Sequence, residues 1–269
     1  MRLRSVVCIG TAGEGLSETL ASTADGVLLS LATDARPPQS LRNTAIEALH
    51  RVNEAEKRGL VLVNNPRTGL LRDDLDAVLS HNLDAVFVAH VTEPQEVRDA
   101  AVLLREFELA RDIEPGEILV FPVIDTARGL LRCAEIVSAA PRVGGLLFDQ
   151  DGYAFDAGAR AEERGDRLAY ARGQIVAAAR AHDRLPLITA DALDLQYLGQ
   201  YGFAGAVLSD ARGAANANNM FAPLPAAIEH ARKHLDAYEA ARAAGLAVGR
   251  AGGALVDAHA ARRARQVLE

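Results

Sequence analysis

Tryptophan is absent from this sequence, and aromatic residues of all kinds make up only 4% of it, so aliphatic side chains must fill whatever core it has. Cysteine is nearly absent too: only Cys8, in a predicted strand, and Cys133, in a predicted helix, are present, which excludes a disulfide framework. There is no excess of positive charge. With 29 basic against 36 acidic residues and a net charge of −7, the chain lacks the basic face that a sequence-independent grip on phosphate backbones needs, so nucleic acid is excluded as a partner. No run approaches the roughly 18 uninterrupted apolar residues of a membrane span. Positive charge precedes an apolar stretch at Met1-Arg2-Leu3-Arg4, but the stretch is too short for a secretory signal and glycine follows it at once. A cytoplasmic protein is expected. The phosphate-cradling Gly-x-x-x-x-Gly-Lys, the dinucleotide fingerprint and the nucleophile elbow are also missing. Gly10-Thr11-Ala12-Gly13-Glu14-Gly15 is glycine-rich after a strand without matching any of them.

What is present is ordinary for a globular protein: 269 residues, 49% hydrophobic and 24% charged. Eight short aliphatic runs recur: Ser5-Gly10, Gly26-Leu31, Leu60-Asn64, Ala85-Ala89, Glu117-Ile124, Gly145-Phe148, Leu185-Thr189 and Gly205-Leu208. They are continuously apolar rather than alternating, as a parallel sheet buried on both faces requires. Segments rich in Ala, Leu, Glu and Arg separate them at helical spacing, among them 41–57, 70–79, 95–109, 129–139 and 161–181. Eight strand-then-helix units predict an α/β fold, a closed (β/α)8 TIM barrel, over residues 1–222. Beyond it, 223–269 reads as a C-terminal helical arm: a long helix near 226–244, a glycine-broken stretch at 249–257 and a last helix at 258–268. The polar run 212–219 reads as a loop. An arm that barrel closure does not require points to packing on a neighbouring copy, hence an oligomer.

Barrels of this kind keep their chemistry at the carboxyl ends of the strands. In chain order these ends offer Thr11, Ser30 with Thr33 and Asp34, then Asn64, Asn65 and Arg67, then His90. The second half offers Asp125 with Arg128, Asp149 with Asp151, Thr189 with Asp191, and Ser209 with Asp210. Carboxylates from neighbouring strand ends suit a hard cation such as Mg²⁺, and Asp125 and Asp151 form the natural pair. An aspartate before a helix also serves as a simple cap, and Asp151-Gly152 is a turn dipeptide. The histidines other than His90 lack zinc-ligand spacing.

The run Ile124-Asp125-Thr126-Ala127-Arg128-Gly129-Leu130-Leu131, with Ala134-Glu135-Ile136, resembles the citrate lyase β-subunit / HpcH-HpaI aldolase family. So do Arg4-Ser5-Val6-Val7, Thr23-Ala24-Asp25-Gly26, Val61-Leu62-Val63-Asn64, Ala140-Pro141-Arg142-Val143, Phe221-Ala222-Pro223 and Leu255-Val256-Asp257-Ala258-His259. The resemblance implies a TIM barrel, a homotrimer or hexamer with exchanged C-terminal arms, and Mg²⁺-dependent cleavage or formation of C–C bonds in hydroxyacyl-CoA thioesters or related oxo acids. It also implies that Asp257 reaches a neighbouring site as an acid/base group.

The site departs from the family pattern more than the scaffold does. Ser30-Leu31-Ala32-Thr33 stands for Asp-Leu-Glu-Asp, Leu62 for the arginine that clamps the substrate carboxylate, His90 for a lysine, and Ser209-Asp210 for His-Pro. Asp125 replaces the metal-binding glutamate. Asp149-Gln150-Asp151-Gly152 replaces Gly-Ala-Glu-Asp, which puts Gly152 at the second ligand unless a one-residue shift brings in Asp151. The leading expectation is a divergent lyase or aldolase in which Asp125 and Asp151 hold Mg²⁺, Asn64, Arg67 and Arg128 orient the substrate, and Asp257 moves a proton. The alternatives are a catalytically inactive homologue kept as a binding or scaffolding protein, and altered chemistry such as hydrolysis with His90 as base.

Overall fold

The computed structural model describes residues 1–10, 14–32, 39–159, 166–191 and 195–268, the side chains at 39–42, 196 and 266 excepted. Thr11, Thr33, Asp34 and most of the glycine-rich loop after the first strand lie outside them.

Eight parallel strands close into a barrel in sequential order: β1 (Ser5–Gly10), β2 (Gly26–Ser30), β3 (Arg58–Val63), β4 (Ala85–Val88), β5 (Leu119–Ile124), β6 (Gly145–Phe148), β7 (Leu185–Ala190) and β8 (Gly205–Leu208). All eight expected runs are strands. Pairing of β1 with β8, Val6 opposite Val207, seals the sheet and leaves no edge. The helices between are α1 (Leu16–Ala21), α2 (Gln39–Glu54), α3 (Leu71–Val78), α4 (Pro94–Ala110), α5 (Ala127–Leu131), α6 (Cys133–Val137), α7 (Gln150–Asp156), α8 (Ala169–Ala181), α9 (Leu195–Leu198) and α10 (Ala214–Met220). The inward side chains, including Leu28, Leu60, Phe87, Phe121, Leu147 and Val207, form one core inside the barrel. Phe87 and Phe121 stack there with centroids 4.8 Å apart. A second, larger core lies outside it, between strands and helices.

Three expectations need correction. Residues 212–219 are largely the helix α10 rather than a loop, because Ala214 and Ala217 are buried and Asn218 bonds Ser5 Oγ and the Thr23 carbonyl. Asp151-Gly152 lies in the first turn of α7, not in a free turn: Asp149 caps that helix by accepting from the Gly152 N–H. Asp125 is not a helix cap, since Thr126 Oγ1 fills that role for α5 by accepting from Gly129 N–H at 3.1 Å.

The chain divides into two compact units, Leu3–Phe221 and Ala222–Glu269. The second contains α11 (Pro225–Ala243), an antiparallel hairpin of β9 (Gly249–Ala251) and β10 (Ala254–Val256), and α12 (Ala258–Leu268). Gly252 and Gly253, with φ of 54° and 86°, form the hairpin turn. Tyr238, Val256, Ala260 and Ala261 form its small core.

Candidate active site at the carboxyl end of the barrel

A cavity of about 330 Å³ opens at the carboxyl ends of the strands. Its floor is apolar: Leu28, Leu62, Val123, Leu147 and Val207 point up from the barrel interior beside Cys8. Its mouth is polar, with Asp149, Gln150 and Asp151 after β6, Thr189 and Asp191 from the end of β7, and Ser209 after β8. Burial, reinforced by the Asp149 charge, pushes the Cys8 thiol up to about 11. A thiol held protonated at neutral pH is a floor residue, not a nucleophile.

Asp125 follows β5 and is buried, at 5% exposure. Its Oδ2 is paired with Nδ1 of His90, which follows β4. His90 has a left-handed backbone, φ 53°, which is uncommon for a residue with a Cβ and costs about 1–2 kcal/mol. The other oxygen of Asp125, Oδ1, is buried with no hydrogen-bond partner among the described residues. Beside it stands Gly152. A Cβ there would lie 3.0 Å from both Asp125 Cβ and Asp149 Oδ2, so these two aspartates flank the space that a larger residue at 152 would fill. Thr189 Oγ1 steadies Asp149 by donating to Oδ1 at 3.2 Å.

The other expected site residues fall into two groups. Arg67 and Arg128 converge on one carboxylate: Glu93 accepts from Arg67 Nη2 at 2.9 Å and pairs through its other oxygen with Arg128. Arg67 Nε also donates to Glu96 at 2.6 Å. Burial pushes the Glu96 carboxyl up, but the Thr92 N–H and Arg67 outweigh it and hold it below the ordinary range. Both arginines are therefore already neutralised by their own chain. Asn64 faces the scaffold, donating from Nδ2 to Asp74 at 2.7 Å and to the Leu31 carbonyl at 3.3 Å. Asp257, in the second unit, accepts from the Ala260 N–H at 2.8 Å near the start of α12. Asp151 is exposed and lines the cavity mouth.

Sequence reasoning missed Glu93 and the Gln150–Arg172 pair, and it named Asp149 without its place beside Gly152. All depend on contacts between residues 22 to 35 positions apart or on the gap at Gly152. Among the described residues no group of three or more His, Cys, Asp or Glu side chains is placed to hold a metal ion.

The profile of the HpcH/HpaI aldolase/citrate lyase family matches residues 13–207. The chain belongs to that family. Citrate lyase subunit beta of Escherichia coli strain K12 is 29% identical over 205 residues, 73% of this chain and 68% of that protein. The (3S)-malyl-CoA thioesterase of Cereibacter sphaeroides strain ATCC 17029 is 27% identical over 282 aligned positions, covering 98% and 93%. Protein CitE from Mycobacterium tuberculosis, in complex with magnesium, acetoacetate and coenzyme A, superposes with a TM-score of 0.63 at 20% identity over 98% of this chain and 96% of that one. A likeness at that identity concerns the fold. At the level of the HpcH/HpaI family, the scaffold is that of a CoA-related carbon–carbon lyase. No helix among the described residues is long and apolar enough to cross a membrane.

Proposed function

We propose that this HpcH/HpaI family member cleaves, or in reverse forms, a carbon–carbon bond in a small oxo or hydroxy acid or its CoA thioester, with Mg²⁺ held at Asp125. One observation carries the proposal: a buried carboxylate oxygen, Asp125 Oδ1, has no donor among the described residues. Leaving such an oxygen unsatisfied costs about 1–3 kcal/mol or more, and a cation removes that cost. The donor set fits a hard ion that takes one or two carboxylates and keeps several waters. Asp125 supplies one oxygen and Asp149, across the Gly152 gap, the second; Asp151 at the same mouth is the alternative second ligand. Bound there, Mg²⁺ would stabilise the negative charge that develops on the substrate oxygen.

The chain's own groups do the rest. A carboxylate oxygen accepts, so Asp125 orients the base form of His90 with its proton on Nδ1 and Nε2 as the ring's acceptor. We assign Nε2 to take the hydroxyl proton of the substrate as the C–C bond breaks. Arg67 and Arg128 bind a substrate carboxylate by exchanging it for Glu93. Asp257, presented by a second copy of the chain in a trimer or hexamer, relays that proton from Nε2 to the carbon fragment, which leaves both groups as they began.

Calorimetric titration of Mn²⁺ and Mg²⁺ into the wild type and Asp125→Ala, Asp149→Ala and Asp151→Ala tests this. Saturable binding is expected in the wild type, weakened by more than about tenfold, or 1.4 kcal/mol, in Asp125→Ala. A wild type that binds neither ion overturns the metal assignment. The His90–Asp125 pair, with the likeness to a thioesterase, favours one second reading: His90 activates water on a thioester. Short hydroxyacyl-CoA substrates separate the two, because a lyase releases a shorter acyl-CoA whereas hydrolysis releases free CoA thiol.

A further inference from the structure

Gln150 opens α7 at the cavity mouth and is only 6% exposed. Its amide oxygen accepts from Nη2 of Arg172, on α8, at 2.5 Å. Arginine has donors and no acceptor, so this contact fixes which end of the amide is oxygen. The Gln150 backbone N–H donates to Thr189 Oγ1 at 3.1 Å. That leaves the side-chain nitrogen, Nε2, which has no hydrogen bond to any described residue. It is also absent from the fully enclosed, unpartnered side-chain atoms. In a buried residue that lines a cavity, an accessible and unpartnered Nε2 is the end presented to that cavity.

Arg172 is held at both terminal nitrogens, although its Nε is buried with no partner among the described residues. Its Nη1 meets Asp166 at 2.8 Å, and its guanidinium carbon sits 5.7 Å from the ring centroids of both Tyr197 and Tyr201. The two tyrosine hydroxyls donate to the same Asp166 carboxylate, Tyr197 at 2.8 Å. A tie between α7 and α8 for stability alone would engage both ends of the amide. Here only the oxygen is tied, and the donor is left facing open space, where a ligand can take it up.

We infer that Gln150 is a ligand-binding residue whose Nε2 donates to a carbonyl oxygen of the substrate, with Arg172 as the residue that positions it. The apolar floor defines the other end of the ligand. With Leu62, Val123, Leu147 and Val207 below, the inserted group is a short alkyl chain, and a second carboxylate is rejected there because burying it unpaired is costly. The ligand class, a small oxo acid or acyl thioester, rests on the lyase reading above; the donor and the apolar floor do not.

Pyruvate and oxaloacetate serve as probes, titrated by calorimetry with and without Mn²⁺. Wild type is expected to bind pyruvate, which has a methyl group for the floor, more tightly than oxaloacetate, which has a carboxylate. Gln150→Glu keeps the acceptor for Arg172 and the side-chain size while replacing the donor, so it folds and loses about ten- to hundredfold in pyruvate affinity. Gln150→Met behaves likewise. Arg172→Met loses as much, and Arg172→Lys, which retains one donor for the amide oxygen, recovers part of it. Mn²⁺ affinity is unchanged in Gln150→Met, which adds no charge beside Asp149 and Asp151. Pyruvate binding equal to wild type in a folded Gln150→Glu overturns the inference, as does a wild type that binds Mn²⁺ but neither oxo acid. A wild type that binds pyruvate through Gln150 but binds no Mn²⁺ supports the inference and overturns the metal assignment instead.

Discussion

Cys8 shows how one side chain can share a cavity with three carboxylates and still take no part in acid–base chemistry. Its thiol is raised to about 11, first by burial and then by Asp149, so thiolate appears only as the pH climbs toward that value. In a Cys133→Ser background, the rate of alkylation by iodoacetamide is expected to rise steadily up to about pH 11. At pH 8 it should lie about a hundredfold or more below that of an ordinary thiol with pKa near 8.5. A rate at pH 8 matching a model thiol overturns the buried assignment. At this scale the sequence was informative about identity and silent about partnership. That Asp125 ends a strand could be read directly, and so could the replacement of an arginine by Leu62. That Asp125 meets His90, and that Arg67 and Arg128 meet Glu93, could not be read, because these pairs join separate loops 26 to 35 positions apart.

Elements were more legible than contacts, for a physical reason: a strand buried on both faces is apolar along most of its length, and eight such runs return between segments of helical spacing. Ends and breaks were less so. The segment 129–139 reads as one helix but is two, α5 and α6, separated at Arg132, whose N–H turns back to the Gly129 carbonyl at 3.2 Å. α10 was missed because Asn216, Asn218 and Asn219 read as loop residues, although the buried Ala214 and Ala217 share one helix face. The joint between α4 and the turn before β6 also depends on a contact that the sequence conceals. Glu108, fully buried near the end of α4, holds Arg142 through two contacts at 2.6 and 3.0 Å and accepts from the Gly116 and Ile118 N–H groups, both at 3.1 Å. Glu108→Ala strands a nearly buried guanidinium and two backbone donors, and urea unfolding should show a loss of about 3–5 kcal/mol. A shift below about 1 kcal/mol would mean that the pair is solvated.

At the scale of the whole molecule, charge sets how an anionic ligand arrives. A net charge of −7 and a cavity mouth bearing Asp149, Asp151 and Asp191 repel a polyphosphate cofactor at long range, and salt screens that repulsion over roughly 10 Å at 0.1 M. Affinity for a CoA thioester is therefore expected to hold or improve as NaCl is raised from about 50 to about 500 mM. A tenfold weakening over that range, measured by calorimetry, would reveal a basic docking face instead. The barrel itself was fully legible in the sequence, since eight repeats of one pattern leave little choice of architecture.

The space beside Gly152 has an evolutionary consequence. A side chain at 152 would meet Asp125 Cβ and Asp149 Oδ2 at 3.0 Å, so Gly152→Asp is expected to crowd a third carboxylate against two and to be better tolerated in an Asp149→Ala background. Positions 149 and 152 are then not free to vary independently in any line of descent.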